Sequence, residues 1–270
     1  MKYILLFLCI LNLSCKYNVA NPVATLKDYT EGSGVIYYVS SSATVAEIEE
    51  GLKKNKHSLG KYKIVVLTSD SASTQILNNI ATALKNNSSF NNVEVDISKL
   101  EGITEIPESV FKDVKNLGSI SLSDKVTKIN KEAFSGCSSL NNVRFSGELT
   151  TIGEGAFLNC SALTLVMLSS EKLTNIEKNA FYGNSSLVNL VLPANISNVV
   201  STAFSSCNQL KNVEYLGTNR NVEGSPFSSG SSPNNLYLPS ATNSTISNYF
   251  NGKSFLGKTW TIHTRQHIPN

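Results

Sequence analysis

The sequence predicts an α/β solenoid: about six turns of a 23-residue unit, entered through a β-α-β-α-β cap region. Three observations carry this. Phenylalanines stand at Phe111, Phe134, Phe157, Phe181, Phe204 and Phe227, separated by 23, 23, 24, 23 and 23 residues. Around each lies the same apolar frame: Ile106, Ile129, Ile152, Ile176, Val199 or Val222 five places before, and Ile120/Leu122, Val143/Phe145, Val166/Leu168, Leu190/Leu192, Val213/Tyr215 or Leu236/Leu238 nine and eleven places after. Ahead of the first unit, helical and strand-like periodicities alternate.

The spacing of the frame dictates its structure. Two apolar residues two apart mark a short strand with one face buried. The segment ending in each phenylalanine, usually Ile-x-x-x-Ala-Phe, suits a short helix or 3₁₀ turn, with the ring packed beneath the strand. Leu117, Leu140, Leu163, Leu187 and Leu210 add a further apolar rung six places on, which Pro233 breaks in the last unit. Pairs such as Ser138-Ser139 and Ser185-Ser186 supply turns. One unit cannot cover its own apolar face, so the units must stack, their strands joined in a parallel ladder.

Two stretches carry a resemblance. Ile-Asn-Lys-Glu-Ala-Phe-Ser-Gly-Cys-Ser-Ser-Leu (129–140) and Ile-Gly-Glu-Gly-Ala-Phe-Leu-Asn-Cys-Ser-Ala-Leu (152–163) closely resemble the BspA-like, Treponema pallidum-type leucine-rich repeat. The resemblance covers roughly half the chain and implies a leucine-rich-repeat solenoid over residues 99–239, with regular turns from about Ile103 to Leu238. Members of that family are largely bacterial and protist surface proteins, several of them described as adhesins. What the resemblance implies is a non-enzymatic module that binds a protein ligand, in host extracellular matrix or on another cell.

The amino terminus points to export. Met1-Lys2-Tyr3 is short and positively charged, and Ile4 to Leu13 is almost wholly apolar. Ten residues are too few for a membrane-spanning helix, which needs about 20. Residues 1–14 therefore read as a signal peptide. Leu11-Asn12-Leu13-Ser14-Cys15 resembles a bacterial lipobox, in the relaxed form of spirochaetal lipoproteins, with Cys15 as the lipidated residue. An ordinary secretory signal followed by a chance cysteine is the alternative. A lipid on Cys15 would anchor the chain in a membrane, each buried methylene contributing about 0.8 kcal/mol. The expected location is the surface of a bacterial outer membrane; a periplasm-facing scaffolding lipoprotein is the other reading. Residues 15–34 lack periodicity and read as a flexible tether.

Residues 35–98 form the expected cap. Val35 to Val39 is a strand, Thr44 to Lys54 a helix, Tyr62 to Leu67 a strand, Thr74 to Asn86 an amphipathic helix and Val93 to Val95 a strand. At the other end, residues 240–270 are expected to cover the last open turn, using Thr245 to Phe250, Phe255 and Trp260 to Ile262.

Signs of chemistry are scarce. The sequence contains no CxxC, HExxH or GxSxG, and Gly252-Lys253-Ser254 lacks the earlier glycine of a phosphate loop. His57, His263 and His267 read as solvated surface residues, and Glu94 with Asp96 as an exposed strand edge. No catalytic residue, metal or cofactor is expected. With 23 basic and 20 acidic residues spread thinly, nucleic acid is not an expected partner either. Cys137, Cys160 and Cys207 share one rung, three places after the phenylalanine. They read as buried thiols packing as hydrophobes, with a Cys137–Cys160 disulfide the alternative.

The register also separates inward from outward side chains. Positions eight, ten and twelve after each phenylalanine point outward. Most are polar, but Leu165, Met167, Val191, Leu216 and Tyr237 fall on consecutive turns and form a candidate protein-binding patch.

Overall fold

Local sequence rules build the cap. The computed structural model describes residues 27–31, 34–67, 74–218, 222–227, 230–245, 250, 254–264 and 266–268. The elements are β1 (Lys27–Glu31), β2 (Gly34–Ser40), α1 (Val45–Leu59), β3 (Lys63–Leu67), α2 (Gln75–Asn86) and β4 (Val93–Asp96). Helix α1 starts at a capping box: the Thr44 hydroxyl accepts from Glu47 N (3.4 Å), and the Glu47 carboxylate accepts from Thr44 N (2.8 Å). It runs to Leu59 and is capped by Gly60, whose φ of 73° is left-handed, so it continues past the expected stop at Lys54 and includes His57. Buried Asn55 ties this helix to the sheet, donating to Tyr37 O (2.8 Å) and Lys63 O (2.7 Å) while accepting from Tyr37 N (2.7 Å).

Strands β2, β3 and β4 run parallel, as helical crossovers require. Strand β1 pairs antiparallel with β2. The folded body therefore begins inside the span 15–34 that reads as a tether, because Lys27–Glu31 finds the open edge of β2. The signal-peptide residues and Cys15 lie outside the described residues, as do Gly252 and Lys253.

The first five solenoid turns contribute two strands each, and the last contributes one strand and a single bridge from Glu223 to Asn198. A narrow second sheet consists of β5 (Glu105–Ile106), β7 (Lys128–Ile129), β9 (Thr151–Ile152), β11 (Asn175–Ile176) and β13 (Asn198–Val199), all parallel. The main face consists of β6 (Leu117–Ser121), β8 (Asn142–Arg144), β10 (Leu165–Met167), β12 (Asn189–Leu192), β14 (Asn212–Tyr215) and β15 (Asn235–Leu238). Strand β4 pairs with β6, so cap and repeats share one sheet, and β4 is interior. Glu94 and Asp96 are accordingly not on a strand edge; Glu94 pairs with Lys61 at 3.0 Å and Asp96 accepts from Ser98 N at 2.9 Å.

The phenylalanines form a spine. Rings 111, 134, 157, 181 and 204 stack at centroid distances of 5.3, 5.0, 5.0 and 5.1 Å, tilted by no more than 7°. All five are fully buried. Offset stacks of this kind add about 0.5–1.5 kcal/mol per pair beyond their area burial.

The segment before each phenylalanine is not the helix or 3₁₀ turn expected from its spacing. It is a run of turns in which left-handed residues flank the ring: Ser109, Glu132, Gly155, Asn179 and Thr202 two before it, and Asp113, Gly136, Asn159, Gly183 and Ser206 two after. These kinks redirect the backbone donors to the next turn. Phe111 N donates to Ala133 O, Phe134 N to Ala156 O, Phe157 N to Ala180 O and Phe181 N to Ala203 O, at 2.7–2.8 Å. A helix would spend the same N–H groups within one turn, and the stack would lose a ladder.

The main face breaks once. No ladder joins β8 to β10, and the two strands close separate sheets of six and five strands. Val143 and Phe145, expected to be core, are only half-buried here, with Phe145 meeting Phe157 edge-on at 5.7 Å. The phenylalanine spine and the second sheet continue across the break.

At the far end, aromatic side chains meet the last turn. Trp260 meets Phe227 edge-on at 5.7 Å, ending the spine, and its indole donates to Phe255 O at 2.8 Å. Phe255 lies 5.2 Å from both Tyr215 and Phe250. Beyond it β16 (Thr261–Thr264) adds a last parallel strand beside β15.

Candidate protein-interaction site

The outward side of the main face is built from register. Eight places after the phenylalanine, the last three turns carry asparagines on adjacent strands that bond to one another. Asn212 donates to Asn189 (2.8 Å), Asn235 donates to Asn212 (2.9 Å), and His263 Nε2 lies 3.2 Å from Asn235 Oδ1. Thr261 is the register partner of Asn235, and the histidine reaches that asparagine from the next outward position, opposite Tyr237. It also stacks on Tyr237, with ring centroids 4.6 Å apart.

Ten places after the phenylalanine stand Met167, Val191, Glu214 and Tyr237 on neighbouring strands. Glu214 is buried, and its carboxylate accepts from His267 Nδ1 and, at 3.0 Å, from Ile268 N. Residues 266–268 therefore fold back from β16 onto β14, bridging 53 positions of sequence between His267 and Glu214. Burial along this row corrects the expected patch. Val191 and Tyr237, the register partners on either side of Glu214, are 8% and 7% exposed rather than open. Leu216 is half-buried. Leu165 and Met167 do stand in solvent, 41% and 54% exposed, and among the described residues they are the exposed large hydrophobics. They project from β10, at the break in the face, with exposed Asn142 and Arg144 on β8 to one side.

Neither His263 nor His267 is an isolated surface residue: the first is half-buried in the asparagine ladder, the second pairs with Glu214. The recurrence of Asn189, Asn212 and Asn235 is visible in the register, but the positions of His263 and His267 against it have no periodic signal.

The cysteine rung lies beneath this face. Cys137, Cys160 and Cys207 are free thiols, not bridged. They do more than pack. Cys137 Sγ donates to Phe111 O (3.0 Å), Cys160 Sγ to Phe134 O (3.1 Å) and Cys207 Sγ to Phe181 O (3.2 Å), each reaching the phenylalanine of the turn before. Asn184, where the rung lacks a cysteine, makes the equivalent bond to Phe157 O at 2.9 Å. Burial pushes the Cys137 and Cys207 thiols up to about 12 and raises Cys160 as well, so all three remain protonated donors.

Among the described residues, no group of three or more His, Cys, Asp or Glu could hold a metal ion, and no helix is long and apolar enough to cross a membrane. One shallow polar hollow, about 270 Å³, is lined by Asp96, Ser98, Lys99, Ser121, Asp124 and Arg144. Arg144 and Asp124 lie 3.5 Å apart within it.

Comparison with known proteins recognises the repeat. The family described as BspA type leucine rich repeat region (6 copies) matches residues 78–211 and 165–266. Among solved structures, the chain is similar to a leucine rich cell surface protein from Faecalibacterium prausnitzii A2-165, with 29% identity over 47% of this chain and 33% of that one, at a TM-score of 0.45. It is also similar to the T. pallidum leucine rich repeat protein, with 26% identity over 53% and 71% of the two chains and a TM-score of 0.44. A leucine-rich repeat protein from Bacteroides ovatus ATCC 8483 shows 25% identity over 55% and 41%, with a TM-score of 0.41. The chain thus spans about a third of the first of these proteins. No curated protein matches it. Leucine-rich repeats are in general non-catalytic protein-binding scaffolds. By its repeat, its stacked parallel strands and this match, the chain belongs to the BspA-type leucine-rich-repeat family.

Proposed function

We propose that this protein is a surface-displayed, adhesin-like lipoprotein, anchored through Cys15, that binds a protein of the host matrix or of another cell through the outward face of its solenoid. The observation that carries the binding role is the pair Leu165 and Met167. Both stand in solvent on a strand edge, with Asn189 the register partner of Leu165 and exposed Asn142 and Arg144 on the strand of the preceding turn. An apolar centre with a polar rim is the composition of a protein-binding surface. The pair is small, so the expected contact is of the transient kind unless partner residues also engage the neighbouring asparagine ladder.

The double change Leu165→Asn, Met167→Asn tests this. Both side chains are exposed, so the fold should survive, as circular dichroism would show. Capture of a partner identified with the wild-type chain should fall at least tenfold; undiminished capture by the folded variant refutes the role of the pair. Protease shaving of intact cells tests display: protection of the protein would favour a periplasm-facing scaffold. Fatty-acid labelling should disappear in Cys15→Ala.

A further inference from the structure

Glu214 is a carboxylate where the fold has no need of one. The same register position carries Ser121, Arg144, Met167, Val191 and Tyr237 in the other turns, so nothing in the repeat requires an acid there. Yet Glu214 is the buried member of the set that carries charge, its side chain 6% exposed between Val191 and Tyr237. A buried carboxylate is tolerated only when paired and hydrogen-bonded. Here the pairing comes from outside the repeat: an imidazole N–H from His267 and the backbone N–H of Ile268. One residue supplies a cationic or donor side chain, and the next supplies a main-chain donor and an apolar side chain. Extended peptides present the same combination to a protein surface.

The contact is also of a kind that can be exchanged. The His267 side chain is 72% exposed, so its pairing with Glu214 is screened by water. The segment that delivers it follows β16 by two residues and holds Glu214 by one side chain and one N–H.

Resting on the reading of this face as an interaction surface, we propose that Glu214, with Val191 and Tyr237 beside it, is a docking point for an extended peptide segment of a protein partner. The segment it takes carries a histidine, lysine or arginine followed by an apolar residue, and His267–Ile268 occupies the point in cis as a displaceable surrogate. The negative charge selects the cationic side chain, the N–H acceptor fixes the peptide backbone, and the flanking Val191 and Tyr237 receive the apolar residue. The exposed pair Leu165 and Met167 lies further along the same face, so a partner seated at Glu214 can extend onto it.

The test uses the full chain and a fluorescent peptide of its own residues 264–270, Thr-Arg-Gln-His-Ile-Pro-Asn. His267→Asp places like charges together and frees the site. Ile268→Pro removes the donor N–H without altering charge, and keeps the test decisive if the aspartate variant fails to fold. Each should bind the peptide at least tenfold more tightly than the wild type, by fluorescence polarisation. Adding Glu214→Gln to either should return binding to the wild-type level. Equal affinity across the wild type and both single variants overturns the proposal, as does a gain that survives Glu214→Gln. The outcome is separable from that of the Leu165 and Met167 pair, since the peptide assay needs no external partner and leaves both residues unchanged.

Discussion

Asn184 interrupts the cysteine rung between Cys160 and Cys207, and changing it to cysteine should stabilise the protein. Its side chain is fully buried; Nδ2 donates to Phe157 O (2.9 Å) and Phe181 O (2.7 Å), but Oδ1 is buried without a partner. Leaving an acceptor so costs about 1–3 kcal/mol. In Asn184→Cys the thiol keeps the bond to Phe157 O, as Cys160 and Cys207 do for their own preceding turns. The second bond, to Phe181 O, is lost at about 0.5–1.5 kcal/mol. In neighbouring turns the backbone replaces it: Cys137 N donates to Phe134 O at 3.2 Å and Cys160 N to Phe157 O at 3.4 Å. The net expectation is a gain of about 1 kcal/mol, which at an m-value of about 2 kcal/mol per molar moves a urea midpoint upward by about 0.5 M. Cys137→Asn is the reverse experiment and should lower the midpoint by a similar amount. A lower midpoint for Asn184→Cys, or an unchanged one for Cys137→Asn, refutes the claim that hydrogen-bond satisfaction, rather than thiol volume, shapes this rung.

Phe157 sits in the middle of the spine, stacked on both sides at 5.0 Å, so Phe157→Ala should cost about 3–5 kcal/mol by denaturant titration, and a loss under 1 kcal/mol would contradict a shared core. Cys137, Cys160 and Cys207 should resist a thiol reagent in the native state and react fully in urea; rapid native labelling would show the rung to be open. Folding raises the Cys137 and Cys207 pKa values from 9.0 to about 12, so their contribution to stability is complete below pH 9 and is lost as pH climbs towards 12. A stability curve flat from pH 8 to 11 would contradict this. Val191→Asn should destabilise by about 1–2 kcal/mol because the side chain is buried, whereas Leu165→Asn should fall within about 0.5 kcal/mol of wild type. Equal effects on the melting midpoint would mean that the two positions are not differently covered.

Much of this protein is determined by sequence alone, because a solenoid is close to one-dimensional. Phe134 touches Phe111 and Phe157, each 23 residues away, and every turn repeats that relation. A period therefore reveals the spine, the strands and the inward side of each strand without any knowledge of long-range contacts. Ahead of the repeats the helices and strands were legible in part for a different reason, as local apolar periodicities, although the first helix runs on to Gly60 rather than stopping at Lys54. Tertiary structure decided the features that follow neither a period nor a local rule. The turns around each phenylalanine are kinked rather than helical because their N–H groups bond across turns, a choice that spacing does not encode. Val191 and Tyr237 share an alternation with Leu165 and Met167, yet only the latter pair is open. Between Val191 and Tyr237, Glu214 is met by residues 266–268, and Tyr237 by the His263 ring, contacts made from beyond the repeats that obey no period. Neighbour contacts at a fixed spacing write themselves into sequence as a period, whereas the covering of an end is a single event, fixed only once the chain has folded back on itself.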